Sequence, residues 1–343
     1  MQKFESFLLR WILRLPETIL RKLSGGVRQK RGRTLDPKLQ MALCLAKTKP
    51  NIETLLPSEA RKFYRRSVGM FDLPKENTYR IENFSIPVES GRIGVRLYRP
   101  SETEDPVPAL VYFHGGGFVI GDLETHDSSL RYISKISNII IISVDYRLAP
   151  EHKYPSAVTD GFAAYLWIVS FAKALGIDPK KIAVGGDSAG GNIAANVCIL
   201  SKKKGSKSPS FQVLVYPYLD LFRLNSSRKE FGNGYALTNE LLDYFNKHYL
   251  NSRDEGKETV ASPIFHKRYG DFPKTYVQLA GFDPLQDEGM EFIDSLQKAG
   301  VSVRFTRYET LIHGYFNLAG MIPEAKKALD ELALFLKDGF KIE

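Results

Sequence analysis

The sequence has only two cysteines, Cys44 and Cys198, in 343 residues. Two thiols so far apart make no disulfide framework, and they read as buried, reduced groups in a reducing compartment. There is no run of ~20 apolar residues, which excludes a spanning helix. The apolar N-terminal stretch is broken by Arg10 and Arg14. That leaves no uninterrupted apolar core of ~7–15 residues, and no small-residue cleavage site follows, so no secretory leader is indicated. The expected location is cytoplasmic. Acids are scarce at one end: residues 1–50 hold twelve Lys or Arg against Glu5, Glu17 and Asp36, which accounts for the whole net charge of +9. The rest is close to neutral and carries no basic stripe, so nucleic-acid binding is a poor reading. Repeats and low-complexity tracts are absent.

What is present suits an ordinary globular chain with ample core material, at 43% hydrophobic and 25% charged residues. Residues 4–23 place Phe4, Phe7, Leu8, Trp11, Ile12, Leu15, Ile19 and Leu20 near one face at helical spacing, flanked by Arg10, Arg14, Arg21 and Lys22. Such a basic amphipathic helix can lie on a membrane surface, form a flap over an apolar pocket, or simply pack on the body. Ser24–Arg33 is Gly-rich and basic and reads as a linker. Pro37–Lys47 and Ser58–Met70 read as helices, so residues 1–79 are expected to form an N-terminal helical segment and cap.

From about Arg80 the pattern changes. Arg80–Val88 and Gly94–Tyr98 read as a hairpin. Apolar runs follow at Ala109–Phe113, Ile139–Val144, Ile182–Gly186, Gln212–Tyr216, Thr275–Ala280 and Val303–Tyr308. They are separated by helical stretches that include Ala157–Ala174, Ser188–Ser201, Asp287–Ala299 and Pro323–Leu336. This alternation predicts a mostly parallel sheet with helices on both faces over residues 80–343. Leu221–Tyr269 interrupts it and reads as a cap insertion.

Gly186-Asp187-Ser188-Ala189-Gly190 has the form G-x-S-x-G between a strand and a helix, the context of a nucleophile elbow. His114-Gly115-Gly116-Gly117-Phe118 follows an earlier strand. Its glycines free backbone N–H groups to face a substrate oxygen, with Ala189, next after the nucleophile, supplying another. Histidines after Ser188 are His248, His266 and His313. The first two fall in the cap, whereas His313 follows the last strand and is the expected base. The loop after Thr275–Ala280 offers the acid: Asp283 is the choice and Asp287 the fallback. His114 reads as structural, orienting its loop.

These blocks, with Asp145–Ala157 (DYRLAPEHKYPSA), Asp283–Gly289 (DPLQDEG) and His313–Gly314, resemble the hormone-sensitive-lipase-like carboxylesterases of the α/β-hydrolase superfamily. The resemblance covers roughly Arg80 to the C-terminus. It implies an α/β-hydrolase fold, a Ser188–Asp283–His313 triad, an oxyanion hole of Gly116, Gly117 and Ala189, a two-part cap, and no cofactor or metal. Phe118, Tyr244 and Phe245 are expected at the substrate, the last two among cap residues able to line an apolar acyl pocket. The expected reaction is cleavage of short- to medium-chain acyl esters. Hydrolysis of hydrophobic amides uses the same triad, and a non-catalytic receptor on this fold is the remaining alternative. Expected partners are a small ester, a second copy through the edge Val303–Tyr308, by resemblance alone, and a membrane surface through residues 4–23.

Overall fold

A computed structural model describes residues 2–342 apart from Ser90, with side chains from Glu5 onward. In chain order the N-terminal part holds α1 (Gln2–Ile12), α2 (Glu17–Leu23), the two-residue strands β1 (Gln29–Lys30) and β2 (Arg33–Thr34), α3 (Pro37–Ala46) and α4 (Pro57–Val68). The hairpin β3 (Arg80–Val88) and β4 (Gly91–Arg99) follows. The alternating part then runs β5 (Val107–Phe113), α5 (Asp127–Ser137), β6 (Ile140–Asp145), α6 (Ser156–Ser170), β7 (Ile177–Asp187), α7 (Ala189–Lys203) and β8 (Gln212–Val215). After the short helices α8 (Ser226–Phe231) and α9 (Asn239–Tyr249) come β9 (Thr275–Phe282), α10 (Gln286–Lys298), β10 (Val303–Ile312) and α11 (Pro323–Phe340).

Eight strands make one sheet in the order β10-β9-β8-β7-β5-β6-β4-β3. All neighbours from β10 to β6 are parallel, and β4 and β3 add an antiparallel edge. The central strands are continuous apolar runs because both faces are covered. Alternate side chains of β5 show it: Ala109, Val111 and Phe113 join one core with α6, α7 and α10, while Leu110 and Tyr112 join the other with α5 and α11. The chain goes from β5 to β6 on one side and returns as β7 on the other. This order reversal is where α/β sheets place ligands, at the strands' C-terminal ends. The register Phe113↔Gly186 brings the ends of β5 and β7 side by side.

Three local expectations are corrected. Residues 4–23 are two helices, because Pro16 lacks an N–H and cannot continue α1. Their apolar residues also split: Leu13 and Leu20 bury against Met41, while Phe7 (66% exposed), Leu8, Trp11 (59%), Ile19 and Leu23 face outward. The Phe4 side chain lies outside the described residues. Ser24–Arg33 is no free linker: it carries β1 and runs into β2, an antiparallel pair held against the body. Lastly, α5 is a helix that the apolar pattern did not reveal.

Candidate active site

Ser188 sits between β7 and α7 with φ +52° and ψ −118°. This strained left-handed backbone is what a sharp strand-to-helix turn requires. The turn closes only over glycines: a Cβ on Gly190 would lie 1.9 Å from the Phe113 carbonyl oxygen, and one on Gly186 would lie 2.3 Å from Gly190. Ser188 N–H donates to Val215 O at 2.9 Å, so the elbow is also pinned to β8. The serine is 8% exposed.

Ser188 Oγ lies 2.9 Å from His313 Nε2, and His313 Nδ1 lies 2.8 Å from Asp283 Oδ2. Asp283 is 1% exposed, and its other oxygen accepts Leu285 N–H at 2.8 Å, which fixes the carboxylate. Tyr216 packs on the imidazole with ring centroids 4.5 Å apart. The three residues come from the ends of β7, β9 and β10. Asp287 is directed elsewhere, accepting Ser227 N–H and pairing with Arg31. His248 meets the Tyr244 ring edge to face, and His266 lies against Phe272 and near Asp271, so neither of these histidines joins the cluster.

The loop after β5 holds Gly116 at φ +126° and Gly117 at φ +60°. Gly116 O accepts from Val119 and Ile120 N–H, and Phe118 O accepts from Ala149 N–H. Among the described residues, the N–H groups of Gly116, Gly117 and Ala189 have no protein acceptor. His114 is fully buried, stacked on Tyr146 at 4.3 Å with Nδ1 2.9 Å from Gly115 O. Burial and the neighbouring His126 push its pKa down to about 4, so it is neutral at pH 7.

The carboxylate next to Ser188 was not read from the sequence. Asp187 Oδ1 accepts Gly115 N–H at 2.9 Å and Tyr112 Oη–H at 3.0 Å, and it lies 3.1 Å from His126 Nε2. Burial alone would raise its pKa, yet His126 and Tyr112 hold it below the usual value. Asp187 therefore ties the glycine loop to the elbow. The available signal was a charged residue inside a buried turn.

Helix α9 lies over the glycine loop. A Cβ on Gly117 would fall 2.2 Å from the Phe245 ring, so that ring rests directly on the glycine. Tyr244, half-buried, donates its hydroxyl to Leu55 O at 3.1 Å and joins α9 to the N-terminal segment. Phe118 is fully buried and stacks on Tyr249 at 4.0 Å, behind the glycine loop. Among the described residues, no group of His, Cys, Asp and Glu is arranged to hold a metal ion.

Residues 110–317 match the family model described as alpha/beta hydrolase fold. The chain is 37% identical over 296 residues to the carboxylic ester hydrolase LipN of Mycobacterium tuberculosis, covering 84% of this chain and 78% of LipN. The chain belongs to the α/β-hydrolase family, in its hormone-sensitive-lipase-like branch. Another member, the ethyl acetate hydrolase of Pseudomonas putida, is 31% identical, with 86% of this chain and 96% of that one covered. Among solved members, the hyperthermophilic esterase of the archaeon Pyrobaculum calidifontis superposes with a TM-score of 0.85 at 36% identity, over 89% and 98% of the two chains. An ester hydrolase from the metagenome of Lake Arreo, solved with a bipyridine phosphonate derivative, reaches 0.87 at 36% identity, over 90% and 99%.

Proposed function

We propose that this α/β-hydrolase cleaves short- to medium-chain carboxylic esters through an acyl-enzyme on Ser188. The reading is carried by the hydrogen-bonded series Ser188–His313–Asp283 beside three unused backbone N–H groups. His313 Nε2 takes the proton as Ser188 Oγ attacks the ester carbonyl, and Asp283 holds the imidazole and balances its charge. The oxyanion is received by the N–H groups of Gly116, Gly117 and Ala189. Collapse of the tetrahedral adduct expels the alcohol, which leaves with the proton held by His313. Water then attacks the acyl-enzyme by the same route, and the acid is released. Phe245 and Tyr244 line the acyl side, with Phe118 as a wall behind the glycine loop. The esterase and ester-hydrolase names of the relatives support ester rather than amide cleavage.

The test is a nitrophenyl ester series, acetate to octanoate, with wild type and Ser188→Ala. Turnover of the variant should fall on the order of 10⁴-fold or more, because the triad acts as a unit. Equal turnover of the two proteins would sink the mechanism.

Two partner readings belong with this function. The outward Phe7, Leu8 and Trp11, beside the exposed Arg14, support peripheral contact of α1 with an anionic membrane surface. No described helix is long and apolar enough to cross a membrane. A homodimer through β10 fits the segment 303–307, where Phe305 is exposed, because Asp36 N–H already occupies Thr310 O further along. The cytoplasmic reading is supported by the free thiols of Cys44 and Cys198.

A further inference from the structure

The basic N-terminal arm, residues 28–36, has no part in the chemistry above, yet it reaches both loops that carry His313 and Asp283. We propose that this arm is a brace that sets the acid and base loops relative to one another, with Arg33 as its central positioning residue.

Arg33 stands where β9 and β10 leave the sheet. Its Nη1 donates to Gly281 O at 2.8 Å and to Gln286 Oε1 at 3.0 Å. Gln286 in turn donates to Ala280 O at 2.9 Å and Gly281 O at 3.1 Å. These groups bracket Asp283 on both sides. The other edge of the same guanidinium pairs with Glu309, Nε to Oε2 at 2.6 Å, four residues before His313. One planar fork thus spans the roots of the two loops, a geometry suited to arginine and not to a point charge.

The contact coincides with an irregularity. The pairing of β10 with β9 loses its register between Tyr308 and Ile312. A bulge of this kind bends the strand and leaves ladder groups unpaired. Asp36 N–H takes one of them, Thr310 O, at 3.1 Å. The arm therefore fills the hydrogen bonding that the bulge vacates, next to the segment that delivers His313.

The rest of the arm is fastened at several points. Leu35 is fully buried, and its N–H donates to Arg28 O at 3.0 Å to close the hairpin. Arg31 pairs with Glu230 and, at 3.2 Å, with Asp287. Arg28 donates to Gly234 O at 2.9 Å and lies over the Tyr235 ring. Tyr235 and Phe231 pack on Phe282, the residue before Asp283. These contacts give the basic charge of residues 28–33 a use inside the molecule.

The inference rests on the Ser188 mechanism and is tested in the full chain with Arg33→Ala and Arg33→Lys. Active sites are counted by the nitrophenol burst released when diethyl p-nitrophenyl phosphate phosphorylates Ser188. Kinetics with p-nitrophenyl butyrate are then expressed per counted site. Arg33→Ala should lower kcat on the order of 10-fold, short of the 10²-fold that a 1 Å misplacement can cost. KM should stay within about twofold, since the arm does not touch substrate. Arg33→Lys should recover part of the loss, because it keeps the charge facing Glu309 without the fork. The downfield proton signal of the His313 Nδ1–H···Asp283 hydrogen bond, read by NMR without turnover, should shift or broaden in Arg33→Ala. If Arg33→Ala does not fold, Glu309→Gln serves in its place with the same expected kcat loss at smaller size. An unchanged kcat per site and an unchanged His313 signal, with only a lower melting temperature, would overturn the brace and leave the arm as a cover for the sheet edge. Absence of the burst in wild type would instead strike at the Ser188 mechanism.

Discussion

Replacing Phe245 should change which acids the enzyme releases more than how fast it works. The ring rests on Gly117, beside the proposed oxyanion donors, and is almost fully buried. Space there is taken by a side chain of α9 and not by backbone, so Phe245→Ala opens it without touching Ser188, His313 or Asp283. Each methylene newly taken out of water is worth about 0.8 kcal/mol, or roughly fourfold in kcat/KM. A cleared ring makes room for about three methylenes, giving on the order of 50-fold by the same arithmetic. The quantity to measure is the ratio of kcat/KM for p-nitrophenyl octanoate to that for the acetate, in wild type and variant. This ratio cancels any loss of active protein, which matters because truncating a buried Phe can cost about 3–5 kcal/mol of stability. Phe245→Leu, a smaller cut, should move the ratio in the same direction by less. A ratio unchanged in both variants would mean that the acyl group never approaches α9, and the acyl pocket would have to be sought elsewhere.

Two further outcomes follow from the surface and from a buried acid. The triple replacement Phe7→Ser, Leu8→Ser and Trp11→Ser should abolish co-sedimentation with vesicles of phosphatidylcholine and phosphatidylglycerol while leaving p-nitrophenyl acetate hydrolysis intact; equal binding of both proteins would remove α1 as the contact. Asp145, at the end of β6, is pushed up from 3.8 to about 6, first by burial and then by the neighbouring Asp122. A carboxyl with a raised folded pKa keeps its proton in the folded state, so wild-type stability falls as pH rises from about 4 through about 6. At about 1.36 kcal/mol per unit this amounts to at most about 3 kcal/mol, and partial solvent access brings it nearer 1–2. Asp145→Asn should therefore raise the urea midpoint at pH 8 and raise it much less near pH 4; the same gain at both would refute the titration.

The strands and the hydrogen-bonded series Ser188–His313–Asp283 were legible because their signals are local or ordered along the chain. Apolar runs flanked by turns mark β5 and β6, and Ser188, Asp283 and His313 appear in the order that the fold demands. The helix α5 was missed because its buried face is partly hydroxyl. Ser129 donates to Phe316 O at 2.9 Å and Ser134 to Ile139 O at 2.9 Å, so polar residues fill positions that periodicity expects to be apolar. The hairpin of β1 and β2 was invisible for a different reason. Its strands have two residues each, and its partners Glu230, Asp287 and Glu309 lie about 200 or more positions away. No local window holds that information. The break at Pro16, by contrast, was in plain sight and was outweighed by the apolar spacing on either side.

Asp187 bears on where variation in such an enzyme can reside. A Cβ on Gly115 would lie 2.3 Å from its Oδ2, and the loop and elbow share its carboxylate, so neither can shift without leaving a buried charge short of a partner. Tyr216 extends the same unit, donating to Asp187 at 3.5 Å while its ring packs on His313. The glycine loop, the Ser188 elbow and His313 are therefore tied together through Asp187 and Tyr216. The segment around α9 is fastened to the body by polar links away from the glycine loop, Tyr154 N–H to Tyr249 O at 2.8 Å and Asn192 Nδ2 to Ala261 O at 2.8 Å, whereas over that loop it makes the bare apolar contact of Phe245 with Gly117. Substitutions at that contact reshape apolar surface over the glycine loop without touching the hydrogen bonds to Asp187. Changes in acyl preference should accordingly map to α9 and the segment around Leu55, whereas any change at Asp187 should lower turnover on every ester alike, with no change in the octanoate-to-acetate ratio.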